Sequence, residues 1–548
     1  MRRCFLLPPP SSLSVIALAA TVLMAGCATP AGRPNPPVAA ATPPAAARPV
    51  AAPGSPAASV PAPAAASAAA PAAVPAATPP VPALPPFAQV VREARRTDGL
   101  IPVWQKDEKV WLELSEKDFG TPFFLSPKLA SGIGEGGVLG GLMGGRGGAG
   151  GAKWVEFVRV FNQVRLVARH AAHVAAAGTP QARAVAAAFS PSLLASAAVL
   201  SQPHPERRTV LVDASALFVS DLMGVGAQLQ RSYRQGYALD PRHSGITAVR
   251  GTPELLALTV QQHFATGALA SAQPGAPAGA GPSVPATLPD PRSLFVQQHL
   301  SLTRLPAAPM RTRAADARIG HFVTTVSDFG DEFARSPKKR FINRWRLEKK
   351  EAAAALSEPV RPIVYWIDRS VPERYREPIR AGILEWNRAF EAIGFKDAIV
   401  VKVQPEDADF DTLETGIASV RWMTNATAMF GAVGPSHVDP RSGEILDADI
   451  AIESLGSRAL RTLRSQVIAA PAPAFAQPPD LGGLGLLAAC QHADLAAEQL
   501  GYALDVLSVR DGLDPAGPEA EAFVAAYLKD VTMHEVGHTL GLRHNFRA

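Results

Sequence analysis

The stretch that decides the reading is His534-Glu535-Val536-Gly537-His538-Thr539-Leu540-Gly541-Leu542-Arg543-His544. It satisfies H-E-x-x-H-x-x-G-x-x-H at every fixed position. A chance match in a chain this long has odds on the order of one in ten thousand or less. On a helix, residues four apart lie about 40° apart around the axis and one turn along, so His534 and His538 can offer both imidazoles to one ion. Glu535 is offset from His534 by about 100°, so it would reach a water on the ion rather than the ion itself. His544 would sit about 9 Å beyond His538 on a straight helix. The chain must therefore leave the helix and double back, and Gly541 can make that turn cheaply at positive φ. Three imidazoles leave one ligand position open, as in a catalytic rather than a closed structural zinc site. H-E-x-x-H alone also occurs in ordinary surface helices. Gly541 and His544 in register carry the metal reading.

The residues before the motif support a helix. Pro518 and Glu519 suit its start, and Phe523, Tyr527, Val531, His534 and His538 continue one face. Further back, 363–367 reads as a strand core. Residues 373–393 read as one amphipathic helix with Ile379, Ile383, Trp386, Phe390 and Ile393 along its stripe and Gly394 at its end. Another strand is expected at 399–403, then a turn at 439–443 leading into a strand over 444–453. In that strand Leu446, Ala448, Ile450 and Ile452 share one face and Asp447, Asp449 and Glu453 the other, a half-buried pattern with one polar side. An Ala/Pro-rich insert at 467–485 precedes further helical segments. His437 and His492 read as polar loop or helix residues rather than ligands.

Residues 87–345 read as a β-rich module with long loops. A hairpin is expected over 100–114, turning at Asp107-Glu108, with strand-like runs at 154–169, 209–212 and 246–249. The glycine-dense stretch 131–152 fails as a phosphate loop, because Lys153 is followed by Trp154 and not by Ser or Thr. Residues 267–291 are a low-complexity insert. The basic run 335–350 reads as a solvated connector.

The N-terminus reads as an export signal over 1–27: Arg2 and Arg3, an apolar run at 13–25, then Leu23-Met24-Ala25-Gly26-Cys27. The last five resemble a bacterial lipobox, which makes Cys27 the expected lipidation site and places the chain in the bacterial cell envelope, lipid-anchored at the outer membrane or periplasmic. Residues 28–86, almost all Ala, Pro, Val, Ser and Thr, bury too little to order themselves and read as a tether. Cysteine usage agrees: the 3 cysteines are Cys4, Cys27 and Cys490, which leaves no internal disulfide if Cys27 is lipidated. The net charge of +5 is mild and its basic residues are scattered, so no nucleic-acid partner is expected.

The motif resembles that of the metzincins, zinc endopeptidases. More closely, the chain from Phe87 onward resembles a family of bacterial zinc-dependent metalloproteases with uncharacterised N-terminal modules. Pro309-Met310-Arg311, Asp316-Ala317-Arg318-Ile319-Gly320-His321-Phe322, Arg344-Trp345-Arg346-Leu347, Gly434-Pro435-Ser436 and Asp447-Ala448-Asp449 carry that likeness. The resemblance implies an α+β fold: a metzincin-like upper subdomain over 359–548, with a twisted sheet, a backing helix and an active-site helix, preceded by the β-rich module. It implies Zn2+ on His534, His538 and His544, Glu535 as general base, and a protein or peptide substrate. An edge strand carrying Ile445, Asp447 and Asp449 is expected to pair with that substrate. Members continue past the motif to a methionine-bearing turn, whereas this sequence stops at Ala548, so a C-terminally incomplete chain is expected. The competing reading is an exported lipoprotein that keeps the metal for binding or assembly without catalysis. No G-x-S-x-G pattern supports a serine hydrolase.

Overall fold

The alternating and continuous apolar runs of the first half build two antiparallel sheets and a small mixed one in this computed structural model. It describes residues 83–144, 151–271, 281–426, 429–454 and 517–544, with single positions at 492, 493, 496, 499, 502, 506 and 510. The export signal, Cys27, nearly all of the tether, the 467–485 insert and Cys490 lie outside the described residues. The expected hairpin forms from Val103–Lys106 and Lys109–Leu114, with Asp107 at φ 51 in the turn. A short polar side chain tolerates that left-handed backbone. Arg95–Thr97 and Val210–Asp213 complete this small sheet.

A larger sheet is centred on three long strands, Leu255–Ala265, Ser293–Arg304 and Phe123–Ser131, continued by the hairpin Lys153–Val160 with Gln163–Ala168. None of the three central strands stood out in the sequence. Along Phe123–Ser131, Phe123 and Leu125 enter a core with Leu112, Phe157 and Leu302, while Ser126 and Lys128 point to the opposite face. Val323–Asp328 pairs with Lys338–Ile342 in a third sheet. The basic run 335–350 is thus more than a connector, although its Arg335, Lys338, Lys339 and Arg340 are solvent-exposed as expected. It supplies a strand, and its Asn343 is buried.

The second half has its own core and its own sheet. Its strands are β1 (Ile363–Ile367), β2 (Ile399–Val403), β3 (Ala418–Met423), β4 (Ala432–Val433), β5 (Ser436–Val438) and β6 (Ile445–Glu453). The spatial order is β2-β1-β3-β6-β4, with β5 also on β6. β2, β1, β3 and β6 run parallel, and β4 and β5 run antiparallel along the outer side of β6. Helices α1 (Glu373–Leu384) and α2 (Trp386–Glu391) lie where one helix was expected, the break falling at Glu385. Ile379 and Ile383 enter the core, but Ile393 is 66% exposed and takes no part in the stripe. Helix α3 (Pro518–Thr539) crosses α1 closely at Gly382, where a Cβ would stand 2.5 Å from the Lys529 carbonyl oxygen.

The expected substrate edge carrying Ile445, Asp447 and Asp449 is overturned. β6 is paired on both sides, to β3 and to β4 with β5, and all three residues are buried. Its polar side does not face solvent either. Lys128 of the first half donates to Asp447 and Asp449 at 2.6 Å each, and Ser419 donates to Asp449 at 2.7 Å. Among the described residues no helix is long and apolar enough to cross a membrane.

Candidate metal centre

Helix α3 carries His534, Glu535 and His538 in its last turns. Its packing fixes their direction: Val524, Leu528, Val531 and Val536 are buried in the second core. The Trp386 indole N–H donates to the Met533 carbonyl at 2.8 Å, and its ring lies under Gly537, where a Cβ would meet it at 2.9 Å. At the helix end the Trp345 indole donates to the Thr539 carbonyl at 2.9 Å. The Thr539 hydroxyl is held by Tyr365 at 2.6 Å.

The chain then turns back at Gly541, as the spacing required. Its φ is 102°, and its N–H donates to the His538 carbonyl at 3.0 Å. A side chain there is excluded twice, by the left-handed backbone and by the Asn343 carbonyl oxygen, which a Cβ would overlap. The turn brings His544 back, so its Nε2 stands 3.0 Å from that of His534 and 3.2 Å from that of His538. Two nitrogens bound to one tetrahedral zinc at about 2.0–2.1 Å lie about 3.3 Å apart, so the three ring nitrogens fit such an ion. His538 Nδ1 donates to the Leu542 carbonyl at 2.8 Å, which leaves its Nε2 lone pair aimed at the common point. Burial, then the neighbouring imidazoles, holds His534 well below the ordinary histidine range. Burial also lowers His538, against the Leu542 bond, and His544, helped by His492 and Arg543. Neutral imidazoles are the form that ligates.

Glu535 is fully buried beside this group. Room for its carboxylate comes from Gly434, between β4 and β5, where a Cβ would come within 2.7 Å of the Glu535 carbonyl oxygen and 3.2 Å of Oε2. No side chain other than glycine's fits there.

Residues 516–548 match the family model described as Met-zincin. The chain ends in a Met-zincin segment. Residues 147–350 match a second model, described as Domain of unknown function (DUF5117). No curated protein and no solved structure shows significant similarity to the chain.

The structure thus brings together His534, His538, His544, Glu535 and Gly541 at the Met-zincin segment, and leaves Ile445, Asp447 and Asp449 in a buried interface. His437 and His492 are not among the converging nitrogens, though neither is a simple surface residue. His437 is buried on β5, with its ring nitrogens at Ser126 and the Gly144 carbonyl. His492 stacks on His534 at 4.1 Å between ring centroids and contacts Asp530 at 2.9 Å. A second group, Asp240, His243 and His263, also gathers its donor atoms within 4.8 Å. There Arg242 already takes the Asp240 carboxylate at 3.1 Å, which leaves little negative charge for a cation. Gly434, Trp345, Trp386 and Tyr365 were not identified as supports of the site. Short family-like stretches held two of them, but spacing alone gave them no role.

Proposed function

We propose that the chain is a zinc-dependent endopeptidase that hydrolyses peptide bonds in proteins or peptides. His534, His538 and His544 would hold the ion, and Glu535 would be the general base. The observation that carries this reading is three imidazole nitrogens converging at ligand spacing beside a buried carboxylate. Zinc, when bound, supplies Lewis acidity toward a carbonyl and makes water a stronger acid. Glu535 would take a proton and deliver it to the leaving nitrogen. The wall beside Glu535 is Gly434, between β4 and β5. Export and lipid anchoring at Cys27 complete the proposal, on the N-terminal sequence alone.

The intact Glu535 favours hydrolysis over a binding factor that merely keeps the ion, since a metal held for structure has no need of a base. The test is zinc content together with cleavage of casein or a peptide library, by the chain and by its Glu535→Ala variant. Zinc in both and cleavage only by the parent supports the reading. Full cleavage by Glu535→Ala refutes Glu535 as base, and a chain that takes up no zinc refutes the site.

A further inference from the structure

The loop carrying the third histidine is held by the N-terminal half as well as by the end of its own helix, where the Leu542 N–H donates to the Gly537 carbonyl at 3.0 Å. Gly320-His321-Phe322 lies antiparallel to Gly541-Leu542-Arg543: the Arg543 N–H donates to the Gly320 carbonyl at 3.0 Å and the Phe322 N–H to the Gly541 carbonyl at 2.8 Å. His321 and Leu542 are paired across this bridge. The clamp extends the hairpin of Val323–Asp328 and Lys338–Ile342, because the Asn343 N–H donates to the Phe322 carbonyl at 2.8 Å. Asn343 in turn presents the carbonyl that presses on Gly541. On the other side the Phe322 ring meets the His538 imidazole edge-on at 5.8 Å. One short segment therefore touches the turn that returns His544 and the ring of His538. Gly320 allows this approach: a Cβ there would stand 3.3 Å from the His544 carbonyl oxygen.

We infer that Gly320–Phe322 is the positioning element of the metal centre, so that the region matching the domain of unknown function sets zinc affinity. The inference rests on the zinc reading above. His544 lies past the end of α3, where the Arg543 N–H and the Gly541 carbonyl find no partner within the helix. The N-terminal half supplies those partners as an added strand, which fixes where the third imidazole stands before an ion arrives. Groups that orient ligands without touching the metal are worth about 10–100-fold in metal affinity.

The experiment is competition for Zn2+ between the full chain and a chromophoric chelator, with the melting temperature recorded in parallel. The variants are Phe322→Ala, Phe322→Tyr and Gly320→Val. Phe322→Ala and Gly320→Val are expected to weaken zinc binding at least tenfold while far-UV circular dichroism is retained, and Phe322→Tyr, which keeps the ring, to bind like the parent. A merely structural role would lower the melting temperature and leave the dissociation constant of the folded protein unchanged. Parental affinity in both Phe322→Ala and Gly320→Val overturns the inference. If Phe322→Ala fails to fold, Gly320→Val decides alone. A parent chain that binds no zinc defeats the functional reading itself, whereas tight parental binding that is indifferent to these variants defeats only the positioning role.

Discussion

Replacing Lys128 by methionine tests the seam between the two halves. The ammonium is fully buried, with Asp447 Oδ2 and Asp449 Oδ2 each 2.6 Å away. Burial opposes its charge, but the two carboxylates outweigh that and hold Lys128 above the ordinary lysine range. One ammonium offsets only one carboxylate. Burial, with Asp449 close by and Lys128 opposing, therefore pushes Asp447 up to about 7. Methionine keeps most of the side-chain volume and removes the charge. Removing one partner of a buried ion pair costs about 3–5 kcal/mol, because the remaining charge is left without compensation. At a urea slope of about 3 kcal/mol per molar, the unfolding midpoint should fall by about 1–1.7 M at pH 7.5.

The sign of the pH dependence follows from Asp447. Its folded pKa is raised, so between about pH 4 and 7 the folded state binds more protons than the unfolded one. Stability from this group is thus highest in acid and is lost as pH rises through 7. Without Lys128, which opposes the rise, the Asp447 carboxylate is pushed up further. His299, which burial lowers to about 4 and which Lys128 helps to keep neutral, becomes easier to protonate. Both changes favour the variant in acid, so its deficit should shrink from pH 7.5 to pH 5. The assay is urea unfolding of parent and variant at both pH values, followed by tryptophan fluorescence and circular dichroism. A deficit below about 1 kcal/mol at pH 7.5, or one equal at both pH values, refutes the account.

Three further changes probe the same geometry. Asp447→Asn removes the surplus negative charge while keeping an acceptor for Lys128, so stability at pH 7.5 should match or exceed the parent, read from the same urea midpoints. Gly541→Ala sets a Cβ against the Asn343 carbonyl at φ 102°, at a cost of about 1–3 kcal/mol; chelator competition should show zinc binding weakened at least tenfold with helix content kept. Gly382→Val forces α1 away from the Lys529 carbonyl, 2.5 Å from the added carbon; overpacking of this kind costs about 1–3 kcal/mol, measurable as a lower thermal midpoint.

The convergence of the three histidines was legible because its information is local. His534 and His538 are one helical turn apart, and Gly541 both breaks the helix and permits the return of His544, so the spacing alone specified the convergence. The strands at 363–367 and 399–403 were legible for the same reason. The helical stretch over 373–393 ends at Gly394, φ 90, as expected, but it breaks at Glu385 and leaves Ile393 outside the core. The long central strands of the first half were missed because they carry buried polar residues, Lys128, Gln298, His299 and Ser301 among them, at positions where an apolar run was sought. The clamp at Gly320–Phe322 could not be read at all, since its two sides are more than two hundred residues apart and its bonds are made by backbone groups any sequence possesses.

The mistaken substrate edge has a physical cause that also explains the seam. Alternation with period two shows that a strand has two unlike faces, but not that the polar one is wet. In β6 the polar face carries Asp447 and Asp449. In Phe123–Ser131 the polar face carries Ser126 and Lys128, and across from it His299 and Ser301 lie opposite on the paired strand. Each strand taken alone looks half-exposed. Placed together, the two polar faces satisfy one another: Lys128 reaches both aspartates, Ser126 reaches His437, and the Thr415 N–H donates to Ser301 at 3.1 Å. Buried ions of this kind contribute little net stability against an apolar seam, but they penalise any other register or any separation, since either leaves charges buried without partners. The N-terminal half therefore fits poorly as a segment to be shed. Its removal would strip Asp447 and Asp449 of Lys128 and the His544 loop of its added strand in one step, so the seam and the candidate metal centre stand or fall together.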